Sequence, residues 1–503
     1  MASSILVPRH RYSLRSHPLP GPFAAFVIAT SAALLGAYAA SNPVVAVALA
    51  AGAVLAICIA MQPDIAALLV LAVIYSNAAV LAVTYHGMPA FVGAAVPMLL
   101  VAPLVHLLLV RRERLIIPAP MPWVLAYLLV QIAGTILASS SQLAATTLGT
   151  FVLEGVGLYL LVTNVIRTPQ LLRGAVWVLL TVGALLGGLS VFQEATGTYG
   201  NDYFGFAQVS DASISTDGAD SENTRRLAGP VDQSNRYAQI MLVLIPIGVF
   251  RVRAERSARL RLVAGFATLL ILASVMLTFS RGAAVGLFVT VIVMALLRYI
   301  KLRTFLGVLA VIALLLAVVP QYRARLSTLS GTTDIAEGGG GELDSSVRSR
   351  ATENVAAFLV FIDHPVVGVG PGRFPVFYGD AADRVEGEIK TVKSTAREAH
   401  NLYLGVAAEN GILGLLFLGG VFIVTLRDLG RTRRRCRDVA PELSHLAAGF
   451  MLAIVAYMAT AVFLHFAYIR YFWVLMALAA ATGLVGRKTA DEAETRALLS
   501  PAS

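Results

Sequence analysis

The sequence predicts an all-α, polytopic membrane protein of about 12–14 transmembrane helices with two long loops on one side. Three observations predict it. The chain is 57% hydrophobic and only 14% charged. Apolar runs of about 18–20 residues, the length that crosses a bilayer core, recur from end to end. Basic residues crowd into every second connection between those runs.

About fourteen runs follow a basic tail at 1–22. They lie at 23–40, 43–61, 65–84, 89–110, 121–139, 143–165, 172–194, 237–250, 262–280, 283–297, 305–319, 402–426, 443–464 and 471–485. The first has a basic flank and Ala37-Tyr38-Ala39 near its end, as a cleaved signal would. It is long, however, and a second run follows at once, so an uncleaved span is expected. With the N-terminus in the cytoplasm, alternation places Arg111, Arg112, Arg114, Arg167 and Arg173 inside, together with the clusters at 251–261, 298–303, 427–437 and 487–496. Counted with the tail, these segments hold 25 of the 39 basic residues, and the turns at 41–42, 85–88 and 140–142 hold none. Both termini should be cytoplasmic. The net charge of +10 is then a topogenic signal beside anionic lipid and calls for no nucleic acid. Cys58 falls inside a span and Cys436 in a basic loop, so no disulfide framework is expected.

The implied division is a cytoplasmic tail 1–22, N-terminal helices 23–194, an external loop 195–236, central helices 237–319, a larger external loop 320–401, C-terminal helices 402–485 and a cytoplasmic tail 486–503. Long external loops on a compact bundle are where function should sit. The Ser/Asp-rich 211–223 and the stretch 335–346 around Gly338-Gly339-Gly340-Gly341 read as disordered insertions. Residues 347–362 differ: Val355, Phe358, Leu359 and Ile362 fall near helical spacing, which predicts an interfacial or lid helix. His364-Pro365 stops it, and Gly368-Val369-Gly370-Pro371-Gly372 is a turn. That turn lacks the Lys-Ser/Thr of a phosphate-binding loop, so it carries no nucleotide role.

External arginines run against the charge bias. Arg225-Arg226 precede Gly229-Pro230 and Asn235, Arg281 sits in a turn held tightly between two spans, and Arg350 begins the predicted lid helix. Each has an ordinary explanation as a snorkelling or solvated charge. A charge at a span end is nevertheless costly unless it faces protein, water or an anion. Taken with His400 at the end of the longest loop, they suggest one anion-binding site on the outer face. Asp217, Asp220, Asp380 and Asp383 also lie outside but without metal-ligand spacing, so no metal is expected.

The segment Arg397-Glu398-Ala399-His400-Asn401-Leu402-Tyr403-Leu404, continued by Glu409-Asn410-Gly411-Ile412-Leu413-Gly414, sets a titratable imidazole at the mouth of a membrane helix. This pattern resembles the signature of the O-antigen ligase and polysaccharide polymerase superfamily. Arg226-Leu227-Ala228-Gly229 with Asn235, then Ser280-Arg281-Gly282, then Arg350 ahead of His364-Pro365 and the Gly368 turn, resemble its other motifs in the family's order. The likeness covers roughly 225–414; the N-terminal half matches only as a hydrophobic frame.

The resemblance implies a GT-C-like glycosyltransferase of the bacterial inner membrane with its long loops in the periplasm. It implies an undecaprenyl-diphosphate-linked glycan donor and a glycan or lipid A core acceptor. Membrane lipid surrounds it, and polysaccharide export machinery is a candidate partner. By the same resemblance, Arg226, Arg281 and Arg350 would bind the donor diphosphate with Arg225 as a neighbour. His400 and Arg281 would be catalytic, with no metal or cofactor. The chemistry fits: arginine donates two parallel hydrogen bonds to phosphate, and an imidazole titrating near neutrality can take a hydroxyl proton. The runner-up is a transporter or flippase for a polysaccharide precursor, which predicts ionisable residues deep in several helices and internal repeats. A membrane assembly platform, for which the loop arginines are dispensable, is a third reading.

Overall fold

The computed structural model describes residues 62–89, 91–138, 141–213, 223–303, 305–307, 310, 345–385, 397–465 and 469–499, all within one compact unit. The expected spans at 23–40 and 43–61, most of 305–319, the Gly338–Gly341 tract, Asp217 and Asp220 lie outside the described residues.

The described chain is an α-helical, multi-pass membrane protein. Its helices are α1 (Pro63–Tyr75), α2 (Ala78–His86), α3 (Phe91–Met98), α4 (Val101–Val105), α5 (Met121–Leu137), α6 (Ser141–Thr150), α7 (Leu158–Val165) and α8 (Pro169–Thr196). A hairpin of β1 (Gln208–Ser213) and β2 (Asn223–Gly229) follows, then α9 (Ser234–Leu242), α10 (Leu244–Ala254), α11 (Ala258–Leu277) and α12 (Arg281–Leu296). The chain continues through α13 (Ser345–Asp363), α14 (Phe374–Asp383), α15 (Leu402–Arg435), α16 (Pro441–Thr460) and α17 (Ile469–Leu499). Among the described residues seven helical segments are long and apolar enough to cross a bilayer, or eight if the bent pair α1–α2 is one span. Three shorter apolar helices, Val96–Val110, Met121–Leu137 and Arg281–Leu296, cover other expected runs. Eleven of the fourteen runs therefore fall on apolar helices, and the other three lie largely outside the described residues.

Burial centres on α17, which packs against α7, α15 and α16. Its Trp473 is fully enclosed and meets Phe151, Tyr159 and Phe472 edge-on. Small residues let the helices close: a Cβ at Gly187 would stand 2.6 Å from the Leu270 carbonyl where α8 crosses α11. One end of the bundle gathers the basic loops. Arg173 and Arg251 share Glu442, Arg251 also meets Glu255, Arg435 binds Asp491 and Glu494, and Arg487 binds Asp428. The loops assigned to one side by charge therefore do assemble together. Two boundaries move: α17 runs on to Leu499, through most of the expected tail, and the Ser/Asp-rich 211–223 carries the strand ends of the hairpin.

The opposite end is organised by a break in α15. Gly411 has φ 63° inside that helix, which frees backbone groups around it. The 365–370 loop takes them up: Val369 N–H donates to Ala408 O, Gly370 N–H to Glu409 O and Ile412 N–H to Pro365 O. Gly368 lies at φ +69°, and a Cβ there would sit 2.3 Å from the Glu409 carbonyl carbon. The Gly368 turn and the Glu-x-Gly-Ile-x-Gly motif are thus two halves of one joint. Gly411→Ala is expected to cost about 1–3 kcal/mol for the left-handed backbone alone, and its Cβ would also meet Val366 O at 2.2 Å. A drop in melting temperature in detergent checks this; an unchanged value means that the joint is not closed in solution.

Candidate active site

Asn401 starts α15 by accepting from the amides of Tyr403 and Leu404 with its side-chain oxygen. The chain must turn sharply to reach that cap, and His400 is held at φ 44°. The turn throws the imidazole towards α13. His400 Nδ1 stands 2.9 Å from Glu353 Oε2 and 3.1 Å from the Glu398 carbonyl. Glu353 is 1% exposed. Its other oxygen receives Arg397 at 2.7 Å and Ser349 at 3.1 Å. Burial alone would raise this carboxyl, but the hydrogen bonds from His400, Arg397 and Ser349 outweigh it and hold Glu353 below the usual carboxylate range. With Nδ1 held in this way, Nε2 of His400 is left to face another partner.

His465 lies beyond, its ring edge-on to His400 with centroids 5.4 Å apart. Its carbonyl accepts from Arg236, which is only 2% exposed and also reaches Gln239. Burial, then the positive charges of Arg236 and His400, push His465 down to about 3. The imidazole is therefore neutral in the folded protein at neutral pH. Since an unfolded histidine titrates near 6.5, the unfolded state binds more protons between about 3 and 6.5. Stability is thus expected to fall as pH drops through that window, and His465→Asn should flatten the fall in melting temperature. Glu398, raised by burial, slopes the other way, so the difference between wild type and variant is the measure. Equal slopes would mean that His465 is free to protonate.

Of the arginines picked out by the charge bias, Arg226 holds the turn that carries Arg281. Arg226 on β2 donates through Nε to Thr278 O at 2.9 Å and through a terminal nitrogen to Asn235 Oδ1 at 2.8 Å. Thr278 opens the turn that carries Phe279 at φ 48°, the cap Ser280 and Arg281, the first residue of α12. The next residue, Gly282, packs so closely that a Cβ would meet Phe463 at 3.2 Å, two positions before His465. Arg350 is partly buried on α13, three residues before Glu353 and so within one helical turn of it. Arg225 diverges. Successive strand residues face opposite ways, and its guanidinium lies over the Tyr199 ring at 5.0 Å. Arg226 thus reaches the turn that carries Arg281, Arg350 shares the α13 helix with Glu353, the partner of His400, and Arg225 lies instead over the Tyr199 ring.

Three residues here do not stand out in the sequence: Glu353, Arg236 and His465. Arg236 follows Asn235 and obeys the external-arginine logic, but it borders the apolar run at 237–250 and reads as its flank. Glu353 was hidden because α13 is oriented against its apolar pattern: Ser349, Thr352, Glu353, Ala356 and Val360 are buried, while Phe358 and Ile362 are 48% and 53% exposed. Among the described residues no group of three or more His, Cys, Asp or Glu side chains is placed to hold a metal ion. Asp380 and Asp383 lie on α14.

Residues 266–419 match the family model described as O-antigen ligase. This stretch runs from α11 into α15 and contains Arg281, Arg350, Glu353 and His400. No curated protein matches the chain.

Proposed function

We propose, with the O-antigen ligase family domain at 266–419 as premise, that this multi-pass membrane protein transfers or polymerises glycan from an undecaprenyl-diphosphate-linked donor at the periplasmic face of the bacterial inner membrane. The observation that carries the reading is the pairing of His400 with buried Glu353 at 2.9 Å, on the helix that also carries Arg350. The Glu398 carbonyl accepting from Nδ1, with the Glu353 carboxylate 2.9 Å away, fixes the imidazole in the tautomer whose Nε2 carries the lone pair. Nε2 takes the proton of an acceptor hydroxyl as its oxygen bonds to the anomeric carbon of the donor sugar. The bond from that carbon to the lipid diphosphate breaks, and the diphosphate leaves with the electron pair. Arg281, with Arg226 and Arg350, meets the charge that develops there. Arg281 also stands at the N-terminus of α12, where the helix dipole adds partial positive charge. Arg225 serves at most as a peripheral attraction. The acceptor is a lipid A core in a ligase and a carrier-linked glycan in a polymerase, and the step requires no metal.

The test is reconstitution. Purified protein in liposomes, given an undecaprenyl-diphosphate-linked oligosaccharide and a hydroxyl acceptor, should release undecaprenyl diphosphate and form glycosylated acceptor in equal amounts. Movement of the intact lipid-linked glycan across the bilayer, with no release of the carrier, would establish the flippase alternative instead.

A further inference from the structure

A cavity of ≈460 Å³ opens beside His465, the ring neighbour of His400. It is walled by α5, α6 and the turn after it, the 371–374 loop, and the first turns of α15 and α17. His465, whose ring abuts His400, lines it, and so does Glu398, whose carbonyl meets His400 Nδ1. Its volume lies in the range of small-molecule sites.

Two observations say what chemistry the cavity fits. The first is a set of buried polar atoms without hydrogen-bond partners among the described residues: Asn410 Oδ1, on a side chain only 3% exposed, His465 Nδ1 and Arg470 Nε. Buried groups of this kind normally find partners. An acceptor, a donor and an imidazole nitrogen that is one or the other by tautomer suit hydroxyls, which both donate and accept. The second is charge. Glu154, Glu398 and Glu409 line the cavity against the single guanidinium of Arg470, which reaches Glu154 at 3.5 Å. The one lining cation is already held by Glu154, so the wall offers an anion no free positive charge. The diphosphate therefore belongs with the arginines, and the cavity with something uncharged. Tyr127, Phe151 and Phe374 complete the wall with aromatic surface against which the C–H face of a pyranose can lie.

We propose that this cavity binds the terminal sugar of the acceptor glycan as an uncharged or amino-bearing pyranose, excludes uronic acids and phosphorylated sugars, and presents one of its hydroxyls to His400. The acceptor role rests on the transferase reading above. The same sugar chemistry could come from the donor glycan, and the experiment separates the two.

Gly405, in the first turn of α15, lines the cavity. A Cβ there meets nothing closer than Ala399 Cβ at 3.7 Å, so Gly405→Leu should grow into the cavity and leave the fold intact. Two probes are used with detergent-solubilised full chain: a neutral disaccharide on an apolar aglycone, and its uronic-acid analogue. Wild type should bind the neutral probe and reject the acidic one. Gly405→Leu should weaken neutral-probe binding by at least roughly tenfold, the scale on which a filled pocket rejects a ligand, with binding of the lipid-diphosphate donor unchanged. Glu154→Gln should narrow the gap between the two probes. Equal neutral-probe binding by wild type and a folded Gly405→Leu overturns the cavity assignment. Loss of donor binding in Gly405→Leu, with the neutral probe unaffected, assigns the cavity to the donor glycan and overturns the acceptor role. Wild type that binds the neutral probe but never transfers sugar in reconstitution sinks the transferase reading and with it the acceptor role, while the sugar site itself stands.

Discussion

Replacing His400 by alanine is expected to lower transfer by roughly 10²–10⁴-fold, the usual worth of a positioned general acid–base group. Donor binding should survive, because Arg226, Arg281 and Arg350 are carried by β2, α12 and α13 rather than by the turn that holds the imidazole. The variant also removes one partner of a carboxylate that is 1% exposed, which costs about 1–3 kcal/mol when a buried acceptor loses its donor. Arg397 and Ser349 still hold the other oxygen of Glu353, so the fold should persist with a lower melting temperature. Turnover must therefore be scored per folded molecule. Glu353→Gln serves as the companion variant. It keeps the imidazole and the α13 packing but offers Nδ1 an amide, so the pH profile of turnover should shift while donor affinity stays. Its loss should be smaller than the roughly 10⁴-fold that follows neutralising the carboxylate of a Ser-His-Asp triad, because the Glu398 carbonyl still orients the ring. Full turnover by folded His400→Ala would remove the histidine from the chemistry.

The frame of this protein could be read from its sequence because a bilayer core offers the backbone no water, and a run of about 20 apolar residues satisfies its own backbone there as a helix. The basic loops could be read for a related reason, since charge sets their side and the structure gathers them at one end. The site was legible in part. Its arginines stand out only because they violate the charge bias, and His400 because it ends a long loop at a helix cap. Glu353 could not be found by periodicity. A helix whose polar face is buried against a site and whose Phe358 and Ile362 point outward carries the same pattern as one that does the reverse. The α15 break was also hidden. Glu-Asn-Gly within an apolar run reads as a tolerated glycine, and only the loop from Pro365 to Gly370 makes it a joint. The β1–β2 hairpin is not legible because its strands border a polar, Ser/Asp-rich insertion and, among the described residues, pair only with each other.

Arg281→Lys is expected to fold normally and to lose roughly 10²–10³-fold in transfer, the cost of deleting one preorganised donor to a developing oxyanion. The position is built for geometry rather than for charge alone. Ser280 caps α12 by accepting from Ala283 N–H, Phe279 is held at φ 48°, and Gly282 is pressed against Phe463. The backbone under Arg281 is therefore fixed from three directions. A rigid base profits a planar guanidinium, which can match two oxygens of a diphosphate at once, and does little for an ammonium on a flexible stem. Because positive charge is conserved, long-range attraction of the donor and the helix-terminal field remain, so donor affinity should fall less than turnover. That split separates the two accounts of this residue. An anchor that only snorkels to the interface would accept lysine without penalty, and near wild-type transfer by Arg281→Lys would reduce Arg281 to that role. Arg226→Lys adds a control of known wiring. It breaks the contacts to Thr278 O and Asn235 Oδ1, which hold the same turn from the other side, and so should lower both stability and turnover, whereas Arg281→Lys lowers turnover alone.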